Sequence, residues 1–178
     1  MFSDQLRAKI ANEAGADLFI SIHANSSRSK SISGVETYYL DFAKTENERT
    51  VAARENAGTG SSIHELEAIV SEIARADKAA ESEELASVIQ NSLYEKARTV
   101  FSSTQNRGVR RAPFIVLIGA KMPSILTEVA FISNPRDERK LNEEENLDQL
   151  AEALFQGIET YMKKLGNYPI AYRTAPEK

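Results

Sequence analysis

A carboxylate within an apolar strand is the feature that most constrains this sequence. Residues 123–135 read P-S-I-L-T-E-V-A-F-I-S-N-P, and their apolar, β-branched composition predicts a strand buried on both faces. Glu128 lies in its middle, where desolvation disfavours an ionised carboxylate unless a partner compensates the charge. A structural ion pair is the ordinary explanation for such a glutamate. A second polar anomaly, in residues 17–25, favours a functional explanation instead.

A histidine closes this second anomalous stretch. Residues 17–25 read D-L-F-I-S-I-H-A-N, follow a helix predicted over residues 3–14, and have the apolar faces of a central parallel strand. His23 and Asn25 fall where that strand ends. Ligands of open α/β sheets bind at the carboxyl ends of strands, so His23 is a candidate site residue. A histidine satisfied by a backbone carbonyl is the alternative.

Two further runs complete a predicted α/β sheet. V-E-T-Y-Y-L at residues 35–40 alternates in polarity, which predicts a less deeply buried strand, antiparallel or near an edge. A-P-F-I-V-L-I at residues 112–118 predicts another short buried strand. With amphipathic helices predicted over residues 85–100 and 147–165, we expect one three-layer α/β domain. Its sheet is expected to be mixed and mostly parallel, with helices on both faces.

Residues 44–80 contain more helical chain than a connection between two strands requires. Residues 45–57 have the composition of a first helix, and Ser62 begins a capping box for a second. We interpret residues 44–80 as a helical insertion in a domain that spans residues 1–165. Residues 166–178 lack periodicity and form a predicted tail.

Composition and charge limit the classes of function. The 178 residues are 42% hydrophobic and 27% charged, which is typical of one globular domain. The net charge of −4 argues against a nucleic-acid partner, whose phosphates require a basic face. The chain has no cysteine, which excludes thiolate metal ligands and thiol nucleophiles. No apolar run has the length of a transmembrane segment, and M-F-S-D-Q-L-R at the start lacks the features of a signal peptide.

His23 and Glu128 together indicate metal-assisted hydrolysis. Neutral imidazole is a common zinc ligand, and a carboxylate beside a metal-activated water can act as a general base. A serine nucleophile has no support, because no G-x-S-x-G string occurs. A catalytic zinc usually takes three protein ligands, whereas the chain offers only two histidines, His23 and His64. His64 is predicted to be an exposed residue of the inserted helices.

Four strings occur in order along the chain: A-N-E-A-G-A-D-L-F-I-S-I-H-A-N-S, G-V-E-T-Y-Y-L, R-G-V-R-R-A-P-F-I-V-L and M-P-S-I-L-T-E-V-A-F-I-S-N-P. They resemble successive signatures of the zinc-dependent N-acetylmuramoyl-L-alanine amidases of bacterial cell walls. The resemblance implies Zn²⁺ as cofactor, His23 as the last zinc-ligating histidine and Glu128 as the catalytic glutamate. It also implies cleavage of the amide between muramic acid and the L-alanine of the stem peptide. Asn25 and Arg107 are candidate substrate-binding residues.

The resembling family also has parts that this sequence lacks. Its domain opens with a strand ending in a D-P-G-H-G-G type motif, then a helix with a ligand glutamate, then a second strand. The chain starts where the family's second helix starts, so the comparison implies that two strands and two of three zinc ligands are missing. We therefore expect the isolated chain to be inactive and to lack a three-ligand site. The alternative function is a catalytically incomplete fragment or cell-wall binding remnant.

The inserted helix adds a regulatory expectation. In division-associated members of the resembling family, an inserted helix lies over the site and lends a glutamate to the zinc until an activator moves it. Glu55, within A-A-R-E-N-A, best matches this glutamate, and a solvated helix face is the alternative. The implied partners are peptidoglycan and a protein activator that displaces the helix. The implied location is periplasmic or extracellular.

Overall fold

A computed structural model describes residues 4–57, 78–101 and 104–166. The helices are α1 (Asp4–Glu13), α2 (Glu46–Glu55), α3 (Lys78–Val100), α4 (Pro135–Leu141) and α5 (Glu144–Lys164), with a short 3-10 helix at Ile115–Leu117. The strands are β1 (Phe19–Asn25), β2 (Val35–Leu40), β3 (Asn106–Ala112) and β4 (Ser124–Phe131). Among these residues, no helix combines the length and apolarity needed to cross a bilayer.

The strands form one sheet in the order β1-β4-β2-β3. β1 runs parallel to β4, β2 runs parallel to β3, and the central β4–β2 pair is antiparallel. Helices α3 and α5 pack on one face of the sheet, and α2 and the 3-10 helix pack on the other. The predicted three-layer α/β domain with a mixed, mostly parallel sheet is confirmed.

Two buried apolar clusters hold these layers together. The first joins α3 and α5 to the sheet and includes Val35, Leu85, Ile89, Leu93, Ile125, Val129, Leu154 and Tyr161. The second lies under α2 and includes Tyr38, Val51, Phe114, Leu117 and Leu126. Alternate residues of β2 and β4 contribute to opposite clusters, because successive strand side chains point to opposite faces. Glu128 shares the parity of Leu126 and therefore faces the α2 side.

β2 is central and its six residues are all buried, so the prediction of a less deeply buried strand was wrong. Its predicted antiparallel pairing is confirmed against β4. Polar residues on β2 are buried because each finds a partner. The Glu36 carboxylate is paired with arginines of β3, and the Thr37 hydroxyl donates a hydrogen bond to Gln90 Oε1 at 2.8 Å.

β3 is formed by the basic run N-R-G-V-R-R-A, so the prediction of a strand at residues 112–118 was wrong. Pro113 lacks a backbone N–H, and the strand ends at Ala112 directly before it. The apolar run that follows enters the α2-side cluster through the 3-10 helix instead. The arginines of β3 lie along the sheet with their charged ends on carboxylates, as Arg111 Nη1 does on Asp41 Oδ2 at 2.8 Å.

The helix boundaries follow capping chemistry. Thr45 and Glu48 form a capping box at the start of α2, within one residue of the predicted start. Asn134 caps α4 by accepting a hydrogen bond from the Arg136 N–H at 2.9 Å, with Pro135 at the first helical position as predicted. The predicted second inserted helix, with Ser62 and His64, lies outside the described residues, as does the predicted tail beyond residue 166.

β1 has a neighbouring strand on one side only within the described part of the chain, although sequence reasoning placed it centrally. The side chain of Ile22 is 58% exposed on this edge strand. A strand edge with free backbone groups and an exposed apolar side chain favours association with other chains. We therefore expect the isolated 178-residue chain to self-associate, and sedimentation velocity measures this directly.

Ile22→Lys places a charge on the edge and is expected to shift the chain toward monomer. Leu147→Lys is the matched control, because Leu147 is a similarly exposed apolar residue on α5. A chain that sediments as one monomeric species would contradict the expected self-association. Equal effects of the two substitutions would show that β1 is not the associating surface.

Candidate active site

The sheet register brings the two anomalous residues together. His23 on β1 pairs with Glu128 on β4, and Glu36 on β2 pairs with Glu128 from the other side. Paired residues of neighbouring strands project from the same face of a sheet. A histidine and two acidic residues therefore converge on the α2 side.

Helix α2 adds a third donor to this pair. Glu55, its last residue, places Oε2 2.8 Å from His23 Nδ1. One ligand atom each from His23, Glu55 and Glu128 lies within 4.8 Å of the others. These residues form a candidate metal site, and the expectation that the isolated chain lacks a complete three-ligand zinc site stays a prediction. The β1–β4 register brings Glu128 to His23, and the docking of α2 brings Glu55, the residue to which the resemblance gave a place at the zinc.

The Glu128 carboxyl group is buried without compensation. Its side chain is 0% exposed, and neither carboxylate oxygen has a hydrogen-bond partner within the described structure. Burial, reinforced by the nearby carboxylates of Glu55 and Glu36 and opposed by the Arg54 charge, raises the pKa of Glu128 to about 9. A buried polar group without a partner is costly and requires an explanation.

A divalent cation fits this arrangement. An imidazole nitrogen and carboxylate oxygens are the donors that zinc accepts in proteins, and a cation beside Glu128 would compensate its carboxylate. The unpartnered oxygens of Glu128 are therefore the feature that best matches a metal centre. His23, Glu55 and Glu128 are the residues available to hold or flank the ion.

The His23 ring is oriented by side chains on both nitrogens. Nε2 lies 3.0 Å from Ser21 Oγ, and Nδ1 faces the Glu55 carboxylate. The alternative of a histidine satisfied by a backbone carbonyl does not describe these contacts. The ring therefore directs Nδ1 toward the Glu55 carboxylate at the end of α2.

Asn25 and Arg107, the candidate substrate-binding residues, both contact Glu36. Asn25 is 1% exposed and its Nδ2 donates to Glu36 Oε1 at 2.5 Å. Arg107 Nε lies 3.2 Å from Glu36 Oε2, and its guanidinium stacks on the Phe131 ring at 5.2 Å from the centroid. Both residues therefore hold the Glu36 carboxylate next to Glu128. Their role in binding substrate stays a prediction.

Glu36 is the functional-site residue that sequence reasoning missed. It is 1% exposed and pairs with Arg107 and with Arg110 Nε at 3.1 Å, while the Tyr38 hydroxyl donates to Oε1 at 3.0 Å. Burial beside this carboxylate raises the pKa of Tyr38, so its hydroxyl stays a donor. A carboxylate inside the run V-E-T-Y-Y-L is the same kind of anomaly as Glu128 and could have identified it.

An open polar cleft lies between α2 and the loop that follows β1. It has a volume of about 570 Å³ and is lined by Ser26, Ser27, Arg28, Asn47, Thr50 and Arg54. One lining residue, Arg54, donates hydrogen bonds to Asn25 Oδ1 and to the Ser26 carbonyl oxygen, so the cleft lies where α2 meets the end of β1. Its volume is in the range of pockets that hold small molecules, and its lining suits a hydroxylated or anionic ligand.

Comparison with known proteins gives one consistent result. The family described as N-acetylmuramoyl-L-alanine amidase matches residues 2–160. The chain is 34% identical over 162 residues to the N-acetylmuramoyl-L-alanine amidase LytC of Bacillus subtilis, covering 91% of this chain and 25% of LytC. It is 31% identical over 170 residues to the amidase AmiA of Escherichia coli, covering 90% of this chain and 57% of AmiA.

Solved structures agree with the sequence relatives. The crystal structure of an N-acetylmuramoyl-L-alanine amidase from Clostridium difficile 630 aligns with a TM-score of 0.64 and 26% identity. The alignment covers 93% of this chain and 68% of that chain. The chain thus spans between a quarter and somewhat more than half the length of the two sequence relatives it matches.

Proposed function

The chain belongs to the N-acetylmuramoyl-L-alanine amidase family, and we propose that it forms the zinc-binding catalytic part of a peptidoglycan hydrolase. The bond cleaved is the amide between N-acetylmuramic acid and the L-alanine of the stem peptide. The observation that carries this proposal is the cluster of His23, Glu55 and Glu128, in which the buried Glu128 carboxylate has no partner. We propose residues 1–165 as the catalytic domain, with a helical insertion over residues 44–80 and a tail over residues 166–178.

His23 is proposed to hold zinc, which when bound supplies Lewis-acid polarisation of the scissile carbonyl. The Glu128 carboxylate takes a proton from the attacking water while the water oxygen forms a bond to the carbonyl carbon. Glu128 then returns this proton to the amide nitrogen as the carbon–nitrogen bond breaks. The products are the carboxylic acid of the lactyl group and the free amine of L-alanine. Zinc bound beside Glu128 would favour its ionised form, which is the form that accepts the proton from water.

A peptidoglycan digest tests this function. The complete protein that contains this chain is incubated with purified peptidoglycan, with and without a chelator. We expect new L-alanine amino termini, no new reducing sugar ends, and loss of the product after metal removal. New reducing ends would indicate a glycosidase and contradict the proposal. Binding to peptidoglycan without any product would favour the alternative of a cell-wall binding remnant.

We further propose that Glu55 blocks the site. Its carboxylate contacts His23 Nδ1, and a carboxylate held beside a zinc ligand would compete with water for the open position of the metal. A helix that competes in this way can be displaced only by a partner that binds the displaced state more tightly. A protein activator is the proposed partner. The proposed cell-wall substrate supports a location in the periplasm or outside the cell.

Glu55→Ala in the complete protein is expected to raise basal amidase activity without an activator. Coupling between sites typically changes an equilibrium by about 5-fold to 150-fold, so an increase of about 5-fold or more is expected. Glu46→Ala is the matched control, since Glu46 is an exposed acid at the other end of α2. Unchanged or lower activity, in a variant that folds and retains zinc, would return Glu55 to an ordinary helix surface.

A further inference from the structure

Arg54 bridges α2 and the end of β1 beside the His23–Glu55 contact. Its Nη1 donates a hydrogen bond to Asn25 Oδ1 at 3.1 Å and another to the Ser26 carbonyl oxygen. Arg54 directly precedes Glu55, and Asn25 lies two residues after His23. The Arg54–Asn25 and Glu55–His23 contacts therefore both connect the end of α2 to the end of β1.

Asn25, which accepts the hydrogen bond from Arg54, is itself oriented by Glu36. Asn25 Nδ2 donates to Glu36, so its Oδ1 must face the opposite way, toward Arg54 and the Ser26 N–H at 2.7 Å. Glu36 is itself fixed by the arginines of β3 and by Tyr38. The amide oxygen is therefore preorganised to receive the guanidinium of Arg54.

Other contacts attach α2 to a different part of the fold. Asn56, which follows α2, donates to the Pro113 carbonyl at 2.8 Å and accepts from the Ile115 N–H at 3.0 Å. Val51 and Ala52 are buried in the cluster that includes Phe114. These contacts secure α2 to the segment after β3, whereas Arg54 and Glu55 connect it to β1.

We propose that Arg54 is a positioning residue that latches α2 over the site and so delivers Glu55 to His23. The proposal rests on the blocking role of Glu55 and deepens it. Loss of the Arg54 contacts leaves the Glu55–His23 contact to hold α2 to β1, while Asn56 and the buried face keep the helix on the protein. Glu55 then spends less time at His23, and Glu128 becomes accessible.

Hydrogen exchange of the complete protein tests the latch without any need for activity. Hydrogen bonds that involve a charged group contribute enough that their loss should speed exchange of the α2 amides by about 10-fold to 100-fold in Arg54→Ala. Arg49→Ala is the matched control, because Arg49 is an exposed arginine on the same helix. Equal α2 exchange in the two variants would overturn the proposal.

A second variant keeps the test decisive if Arg54→Ala folds poorly. Arg54→Lys retains the positive charge but is shorter and lacks the guanidinium fork, so the α2 amides should again exchange faster than in Arg49→Ala. A charge effect on Glu128 predicts the opposite pattern: parental α2 exchange in Arg54→Lys, and an altered pH profile of hydrolysis in Arg54→Ala. That pattern would also overturn the latch.

Activity separates this proposal from the blocking role of Glu55. If both hold, Arg54→Ala raises basal amidase activity with zinc retained, and adding Glu55→Ala gives little further increase. Fast α2 exchange in Arg54→Ala, together with unchanged activity in Glu55→Ala, would support the latch and contradict the blocking role. Parental α2 exchange in Arg54→Ala, together with raised activity in Glu55→Ala, would contradict the latch alone.

Discussion

Glu128→Gln in the complete protein is expected to retain the fold and zinc while hydrolysis of peptidoglycan falls by about 100-fold to 10,000-fold. Glutamine preserves the shape of the side chain but cannot take a proton from water. The fold should tolerate it, since burial already favours the neutral form of Glu128 in the metal-free chain. The release of L-alanine amino termini measures the loss.

Two further measurements make the Glu128 result specific. Glu138→Gln is the matched control, because Glu138 is an exposed acid on α4 outside the site, and it should digest at the parental rate. Zinc content is determined on both variants. Parental hydrolysis by Glu128→Gln would dismiss Glu128 as the base, and loss of zinc would make it a ligand instead.

His23→Ala in the complete protein is expected to lower zinc content and, with it, hydrolysis. Loss of even a supporting partner of a metal ligand typically weakens metal affinity about 10-fold to 100-fold, so loss of a ligand should cost at least as much. Elemental analysis of the purified protein after dialysis provides the measurement. For the isolated 178-residue chain we expect weak zinc binding or none.

The other histidine of the chain provides the control for His23. His64→Ala makes the same chemical change at a position predicted from the sequence to be exposed on a helix. It is expected to retain zinc at the parental level. Undiminished zinc in His23→Ala would reject His23 as a ligand, whereas zinc loss in both variants would show that His64 also contributes.

The sequence was most informative where a polar residue contradicted its surroundings. Glu128 and His23 were identifiable because each interrupts or ends an apolar run, and such interruptions have few structural explanations. The helix starts at Thr45 and Asn134 were predictable because capping is local chemistry. Features decided within a few residues were thus accessible.

The features that sequence reasoning missed depend on distant parts of the chain. Alternation in β2 suggested a half-exposed strand, but Glu36 is buried by arginines about 70 residues later, which the pattern cannot show. The run A-P-F-I-V-L-I looked like a strand because short apolar runs are compatible with several structures. The approach of Glu55 to His23 also depends on how distant parts dock, and only the family resemblance pointed to it.

For protein engineering, the two neighbouring acids Glu36 and Glu128 are not interchangeable. The Glu36 carboxylate contacts two arginines, the amide of Asn25 and the hydroxyl of Tyr38. Replacing Glu36 with leucine would therefore leave two guanidinium groups of β3 without their carboxylate partner. No side chain within the described structure donates a hydrogen bond to Glu128. Replacing it with a hydrophobic residue of similar volume therefore removes an uncompensated buried carboxyl group and leaves no partner unpaired. An inert scaffold that keeps this cleft should therefore be built by changing β4 and leaving β2 alone.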